Sequence, residues 1–129
     1  MIEFSLDARS GVSPYLQVVH QVRQALRLGL LKKGDQLPTV KDVVAVLAIN
    51  PNTVLKAYRE LERDGLVTAR PGVGTFVTRT LTDTSLSAHE RLRRDLRKWL
   101  AKARLAGLDD ESIAALFDST FRAAQQDIA

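Results

Sequence analysis

Residues 50 to 65 read NPNTVLKAYRELERDG, and the reading of this stretch decides the fold. Asn50 followed by Pro51 is a helix start: asparagine caps the open amides of a first turn, and proline suits the first helical position because no amide is needed there. Gly65 is a natural stop. At about 100° per residue, Val54, Ala57, Tyr58 and Leu61 fall on one face, and Asn52, Lys56, Arg59 and Arg63 on the opposite one. The spacing predicts an amphipathic helix, anchored on one side and basic on the other.

Upstream, Pro38-Thr39 opens a short helix with Thr39 as its cap, Asp42 in the first turn where it suits the helix dipole, and a small apolar face of Val43, Val44 and Leu47. Only a brief turn separates it from Asn50. A longer helix starts near Pro14, carries Tyr15, Val18, Val19, Val22 and Leu26 at helical spacing, and ends within Gly29 to Gly34. Downstream of Gly65, residues 66 to 69 and 75 to 78 read as two short strands joined by Arg70-Pro71-Gly72-Val73-Gly74. Three helices and a hairpin in this order, over residues 12 to 78, describe a winged helix-turn-helix.

Any exposed helix face tends to be charged, so the basic stripe alone says little. Its context says more. A helix seated in the major groove of double-stranded DNA needs an inner face anchored to its domain and an outer face of long donor-bearing side chains. Asn52 and Thr53, in the first turn, would lie nearest the bases, and Lys56 would reach guanine acceptors or phosphate. In the turn of the hairpin, Arg70 adds charge, while Gly72 and Gly74 allow the backbone to approach phosphates closely. The turn is not a nucleotide-binding loop, since no helix follows it and no Gly-Lys-Ser/Thr occurs.

The chain has 129 residues, 45% hydrophobic and 26% charged, with a net charge of +4 and no cysteine. These values fit a soluble globular protein and exclude disulfides and cysteine-based metal sites. No apolar run is long enough for a membrane span and no secretory leader is visible, so a cytoplasmic location and no membrane partner are expected. Residues 1 to 80 carry 11 Lys/Arg against 7 Asp/Glu, and residues 81 to 129 carry 8 of each, so the positive excess lies wholly in the first part.

Residues 80 to 86, TLTDTSL, read as a linker, dividing the chain into a DNA-binding domain (1–80) and a helical tail (81–129). In the tail, Ser87-x-x-Glu90 has the form of a capping box before a helix with Leu92, Leu96, Trp99, Leu100 and Ala103 on one stripe. Gly107 ends it. A last helix follows Asp109, with Ile113, Leu116, Phe117, Phe121, Ala124 and Ile128 on one side. Two such helices cannot bury both stripes against each other alone, so pairing with a second tail is expected, with Leu92, Leu96, Trp99, Leu100, Ile113, Leu116, Phe117 and Phe121 at the interface. Trp99, Phe117 and Phe121 also suit a small-molecule pocket, but a dimer core explains the pattern more simply; an effector of unidentified kind is left open as a further partner. The fold class is thus mainly α with a small β-hairpin: a winged helix-turn-helix followed by a two-helix dimerisation tail.

His20 and His89 lie in separate segments without metal-ligand spacing, and a cap or helix-surface role is expected for them. Asp109-Asp110-Glu111 is an acidic first turn that complements the helix dipole. Clustered carboxylates, a nucleophile with its base, and a metal site are all missing from the pattern, so neither enzymatic chemistry nor a cofactor is expected.

The chain resembles the GntR family of bacterial regulators, and within it the small YtrA-like branch. The resemblance rests on Pro14-Tyr15-Leu16-Gln17, Gly34-Asp35-Gln36-Leu37-Pro38-Thr39, Asn50-Pro51-Asn52-Thr53-Val54, Ala57-Tyr58-x-x-Leu61-x-x-x-Gly65-Leu66-Val67 and Gly72-x-Gly74-Thr75-Phe76-Val77. It implies a homodimeric DNA-binding regulator, usually a repressor, on a roughly palindromic operator. It also implies DNA contacts at Thr39 and Lys41 at the start of the second helix, at Asn52 and Thr53 at the start of the third, and at Gly72 or Gly74 in the wing. Similar proteins usually carry arginine at the position of Lys41; lysine keeps the charge without the bidentate fork, which favours phosphate over base contact. Leu55 stands where some relatives have a basic residue.

Overall fold

The computed structural model describes residues 2–82 and 86–128, apart from the side chain of Ile128, so that part of the tail stripe and residues 83–85 of the linker lie outside the described residues. The elements run α1 (Pro14–Arg27), α2 (Val40–Leu47), α3 (Pro51–Arg63), β1 (Val67–Arg70), β2 (Gly74–Val77), α4 (Leu86–Leu105) and α5 (Asp110–Ile128). By contact they divide into two compact units, residues 1–89 and 90–129. The boundary falls within α4, whose first turn belongs to the first unit: Leu86 and His89 lie against Gly29.

The core of the first unit forms where the apolar faces meet. Val18, Val22 and Leu26 of α1, Val43 of α2, Val54, Ala57, Tyr58 and Leu61 of α3, and Val67 and Val77 of the hairpin are all buried. Tyr15, Val44 and Leu47 reach the core only in part. Both helix starts form as the sequence implies: the Thr39 hydroxyl accepts the Asp42 N–H at 3.1 Å, and the Asn50 side-chain oxygen accepts the Asn52 N–H at 2.8 Å. Helix α3 closes at Gly65, where the Leu66 N–H returns to the Leu61 carbonyl at 3.0 Å.

The hairpin is shifted by one residue from its expected bounds. Val67 pairs with Val77 and Arg70 with Gly74, so Arg70 ends a strand instead of starting the turn. A further pairing has no precursor in the sequence pattern. Gln36 bridges Phe76 antiparallel, with Leu37 N–H donating to Thr75 O and Val77 N–H to Asp35 O, each at 2.8 Å. The segment before α2 therefore braces the outer edge of β2. The N-terminus is tied down as well: Phe4 is buried, and the Gln21 amide pairs with both backbone groups of Ser5 at 3.0 and 2.6 Å. Gln17 does the same for the loop before α1, accepting from Asp7 N–H and donating to the Asp7 and Val12 carbonyls.

The turn between α2 and α3 passes through Ala48 at φ 54°, the left-handed region, where a side chain crowds its own carbonyl. Glycine would hold that conformation without the clash, although it costs more entropy on folding. Ala48→Gly is expected to stabilise the first unit by about 0.5–1 kcal/mol. The check is a higher urea midpoint at unchanged slope; a lower midpoint would contradict this account.

In the second unit, α4 and α5 form a hairpin of helices. Helix α4 is described from Leu86, so Ser87 lies within it and not ahead of it, where a capping box would place it. The α4–α5 turn is set by Asp109, whose carboxylate accepts the Ser112 N–H at 2.8 Å. Bonds from the Ser112 side chain and amide hold the Asp109 carboxyl below its ordinary pKa range. Arg104 and Asp110 pair across the turn at 2.9 Å. Ala103 and Ile113 are buried there.

Candidate nucleic-acid interface

Helix α3 presents its basic stripe outward because its other face is fixed from three sides. Its apolar residues are buried, and the Tyr58 hydroxyl donates to the Pro38 carbonyl at 2.6 Å, tying α3 to the start of α2. Burial, reinforced by the Asp42 carboxylate, raises the Tyr58 phenol pKa, so it keeps the proton that this bond needs. At its end, Glu62 accepts the Ala69 N–H at 2.8 Å, which couples α3 to the wing and spends one carboxylate away from the stripe. Arg23 of α1 forms an ion pair with Asp64, and Arg79 donates to the Asp64 carbonyl at 3.2 Å. Two arginines thus meet the negative end of the helix. Sequence periodicity cannot reveal these braces, since it says nothing about partners 15 to 41 residues away.

The expected contact residues lie at the starts of α2 and α3, along α3 and in the wing. Thr39 and Lys41 are exposed at the start of α2, Asn52 is exposed and Thr53 half-buried in the first turn of α3, and Lys56, Arg59 and Arg63 are exposed further along it. Among the described residues Lys41, Arg59 and Arg63 form no ion pair, so their charge is uncommitted. Lys56 behaves differently: its ammonium lies 3.9 Å from the centre of the Tyr15 ring. The Arg70 guanidinium lies 4.7 Å from the centre of the Phe76 ring, which holds it along the wing.

The two wing glycines separate by environment. In the turn Arg70-Pro71-Gly72-Val73, Val73 N–H returns to Arg70 O at 3.0 Å, and Gly72 takes φ 74°, the third-position conformation of a type II turn. Nothing lies within 4 Å of where a Gly72 side chain would start. At Gly74 the backbone takes φ 147°, which strains any residue with a side chain, and a Cβ there would also displace the end of the Gln36 side chain. Gly72 is the open backbone position.

Elsewhere, His20 is exposed on α1, whereas His89 is half-buried, its Nδ1 without a hydrogen-bond partner among the described residues. In the tail, Trp99 and Leu100 are half-buried and Ile113 is buried. Leu92, Leu96, Leu116, Phe117 and Phe121 remain 43–65% exposed. Phe117 and Phe121 stack with ring centres 5.9 Å apart, lining a groove of about 360 Å³ with Leu96, Trp99 and Leu116. No helix among the described residues is long and apolar enough to cross a membrane.

Comparison with known proteins places this geometry. Residues 14–77 match the model of the gntR family of bacterial regulatory proteins. The chain is 32% identical over 109 residues to the HTH-type transcriptional repressor YtrA of Bacillus subtilis, covering 84% of each. The chain belongs to the GntR family. This GntR chain is a DNA-binding transcription regulator of the YtrA-like kind, with a winged helix-turn-helix. A transcriptional regulator from Oenococcus oeni shares 34% identity at a TM-score of 0.51, with 92% of this chain and 99% of that one covered. YtrA from Sulfolobus acidocaldarius, a GntR-family transcription factor, has the same fold at 23% identity and a TM-score of 0.53, with 95% and 99% covered.

Proposed function

We propose that this GntR chain acts in the cytoplasm as a homodimeric repressor, each copy laying α3 into the major groove and its wing along the adjoining backbone of a roughly palindromic operator. The observation that carries the reading is the exposed basic face of α3, braced at both ends and holding Arg59 and Arg63 free of ion pairs among the described residues. Asn52 and Thr53 sit in the first turn, nearest the base edges, while Lys41, Lys56, Arg59, Arg63 and Arg70 meet phosphates. Thr39 lies beside Lys41 at the start of α2, and Gly72 brings bare backbone to the wing tip. The repressor named among its relatives supports the direction of regulation.

Residues 1–80 serve as the DNA-binding domain and residues 81–129 as the dimerisation tail. Leu92, Leu96, Trp99, Leu100, Ile113, Leu116, Phe117 and Phe121 make the interface. The exposure of Leu92, Leu96, Leu116, Phe117 and Phe121 in a single copy supports this, because apolar side chains of this size gain about 1.5–3 kcal/mol each on full burial, whereas Ile113 is already buried within one copy. The groove beside Phe117 and Phe121 opens onto the same apolar face, which favours a second copy over a small-molecule effector there. Two α3 helices would then meet half-sites one helical turn, about 34–36 Å, or a multiple of it apart.

The direct test replaces Lys56 and Arg59 together by alanine and measures binding to the promoter of the protein's own gene by footprinting. Affinity is expected to fall roughly a hundred-fold or more, since each charged contact contributes about 1.5–3 kcal/mol. Unchanged protection by a folded variant would remove α3 from the interface.

A further inference from the structure

Among the basic side chains of α3, only Lys56 is held by a ring. Its ammonium stands 3.9 Å from the centre of the Tyr15 ring, at the second position of α1, while Arg59 and Arg63 on the same stripe have no such support. A lysine carries its charge on four flexible carbons, and fixing that chain for a contact costs rotamer freedom. The negative face of an aromatic ring attracts the cation and narrows its positions before any partner arrives. Tyr15 can act in this way because it is only half-buried: its ring packs against the core and still offers a face outward. Lys56 stays exposed, and its ammonium makes no hydrogen bond or ion pair among the described residues, so its donors can meet a phosphate without leaving the ring.

We infer that Tyr15 is a positioning residue for DNA binding, holding Lys56 in place for a backbone phosphate. The inference rests on the reading of Lys56 as a DNA contact. It extends the functional surface to α1, which sequence periodicity assigns to the core alone.

The test is a double-mutant cycle on the full chain, with Tyr15→Leu, Tyr15→Phe and Lys56→Met. Affinity for a fluorescent duplex of mixed sequence, roughly 30 base pairs long, is measured across a salt series, because phosphate contacts alone support such binding. Tyr15→Leu is expected to weaken binding by about two- to five-fold while leaving the salt slope unchanged, because the phosphate contact persists with a less ordered lysine. Tyr15→Phe, which keeps the ring, is expected to bind as the parent does. In the Lys56→Met background, Tyr15→Leu should have no further effect. Equal weakening by Tyr15→Leu in both backgrounds would overturn the inference and assign Tyr15 to packing. So would a Tyr15→Phe variant as weak as Tyr15→Leu, or no weakening at all. If Lys56→Met alone leaves affinity and salt slope unchanged, the DNA-contact reading of Lys56 fails, and the positioning role fails with it.

Discussion

Raising the salt from about 50 to about 200 mM is expected to weaken operator binding by roughly five orders of magnitude. Each phosphate neutralised by a lysine or arginine releases condensed counterions, and log affinity then falls with log salt at a slope of about −0.9 per contact. Lys41, Lys56, Arg59, Arg63 and Arg70 are the phosphate-reaching cations of one winged helix, exposed and without ion pairs among the described residues. A dimer doubles them, so about ten contacts act together. Intramolecular partners would have diluted this dependence, because a cation already paired to a carboxylate brings little new charge to the DNA. Here two nearby acids are engaged elsewhere: Glu62 with the wing backbone and Asp64 with Arg23. A flat plot of log affinity against log salt would show that these side chains do not face phosphate, and would sink the assignment of the basic face.

Removing residues 90–129 is expected to leave a folded monomer that binds the whole operator about 10²–10⁴-fold more weakly. The winged helix should survive the cut because its core runs from Phe4 to Val77, with Leu81 packed on it, all ahead of the cut. The cut belongs after His89, since the first turn of α4 packs on Gly29 within the first unit. The loss would come from linkage and not from any lost DNA contact. When two winged helices are joined, the second half-site is engaged at high effective concentration, and separation forfeits that gain. Sedimentation at micromolar concentration should give a monomer, and single half-site affinity should match that of one domain in the intact chain. A truncated protein that still sediments as a dimer, or binds the full operator as tightly as before, would place the dimer interface outside the tail.

The tail also shows how a neutral total can mislead. Helix α4 carries seven Lys/Arg against Glu90 and Asp95, while α5 carries four acids against Arg122. The equal sums over residues 81 to 129 conceal two helices of opposite sign, with Arg104 and Asp110 paired where they meet.

Much of the fold was legible in the residues because its signals are local. A cap two or three residues from its amide, a stop glycine, and apolar positions repeating every 3.6 residues all act within one or two turns. They were sufficient for α3, for its basic stripe and for the wing. They failed where the partner is remote. The bridge of Gln36 to Phe76 spans 40 residues and involves no alternating run, so the segment before α2 carries no strand signal. Gln17 and Gln21 look like ordinary polar positions of a helix, yet their amides complete the hydrogen bonds of the N-terminal segment.

The sequence by itself determined that residues 50 to 65 form an amphipathic, capped helix with Asn52, Lys56, Arg59 and Arg63 on its outer face, because helical geometry maps chain spacing directly onto a surface. Only the tertiary structure decided how those side chains differ. Lys56 rests on Tyr15, Arg59 and Arg63 stand free of ion pairs among the described residues, Gly72 is open, and Gly74 faces the Gln36 side chain. Such distinctions depend on which distant groups the packed core brings within about 4 Å, a distance that periodicity along the chain does not encode.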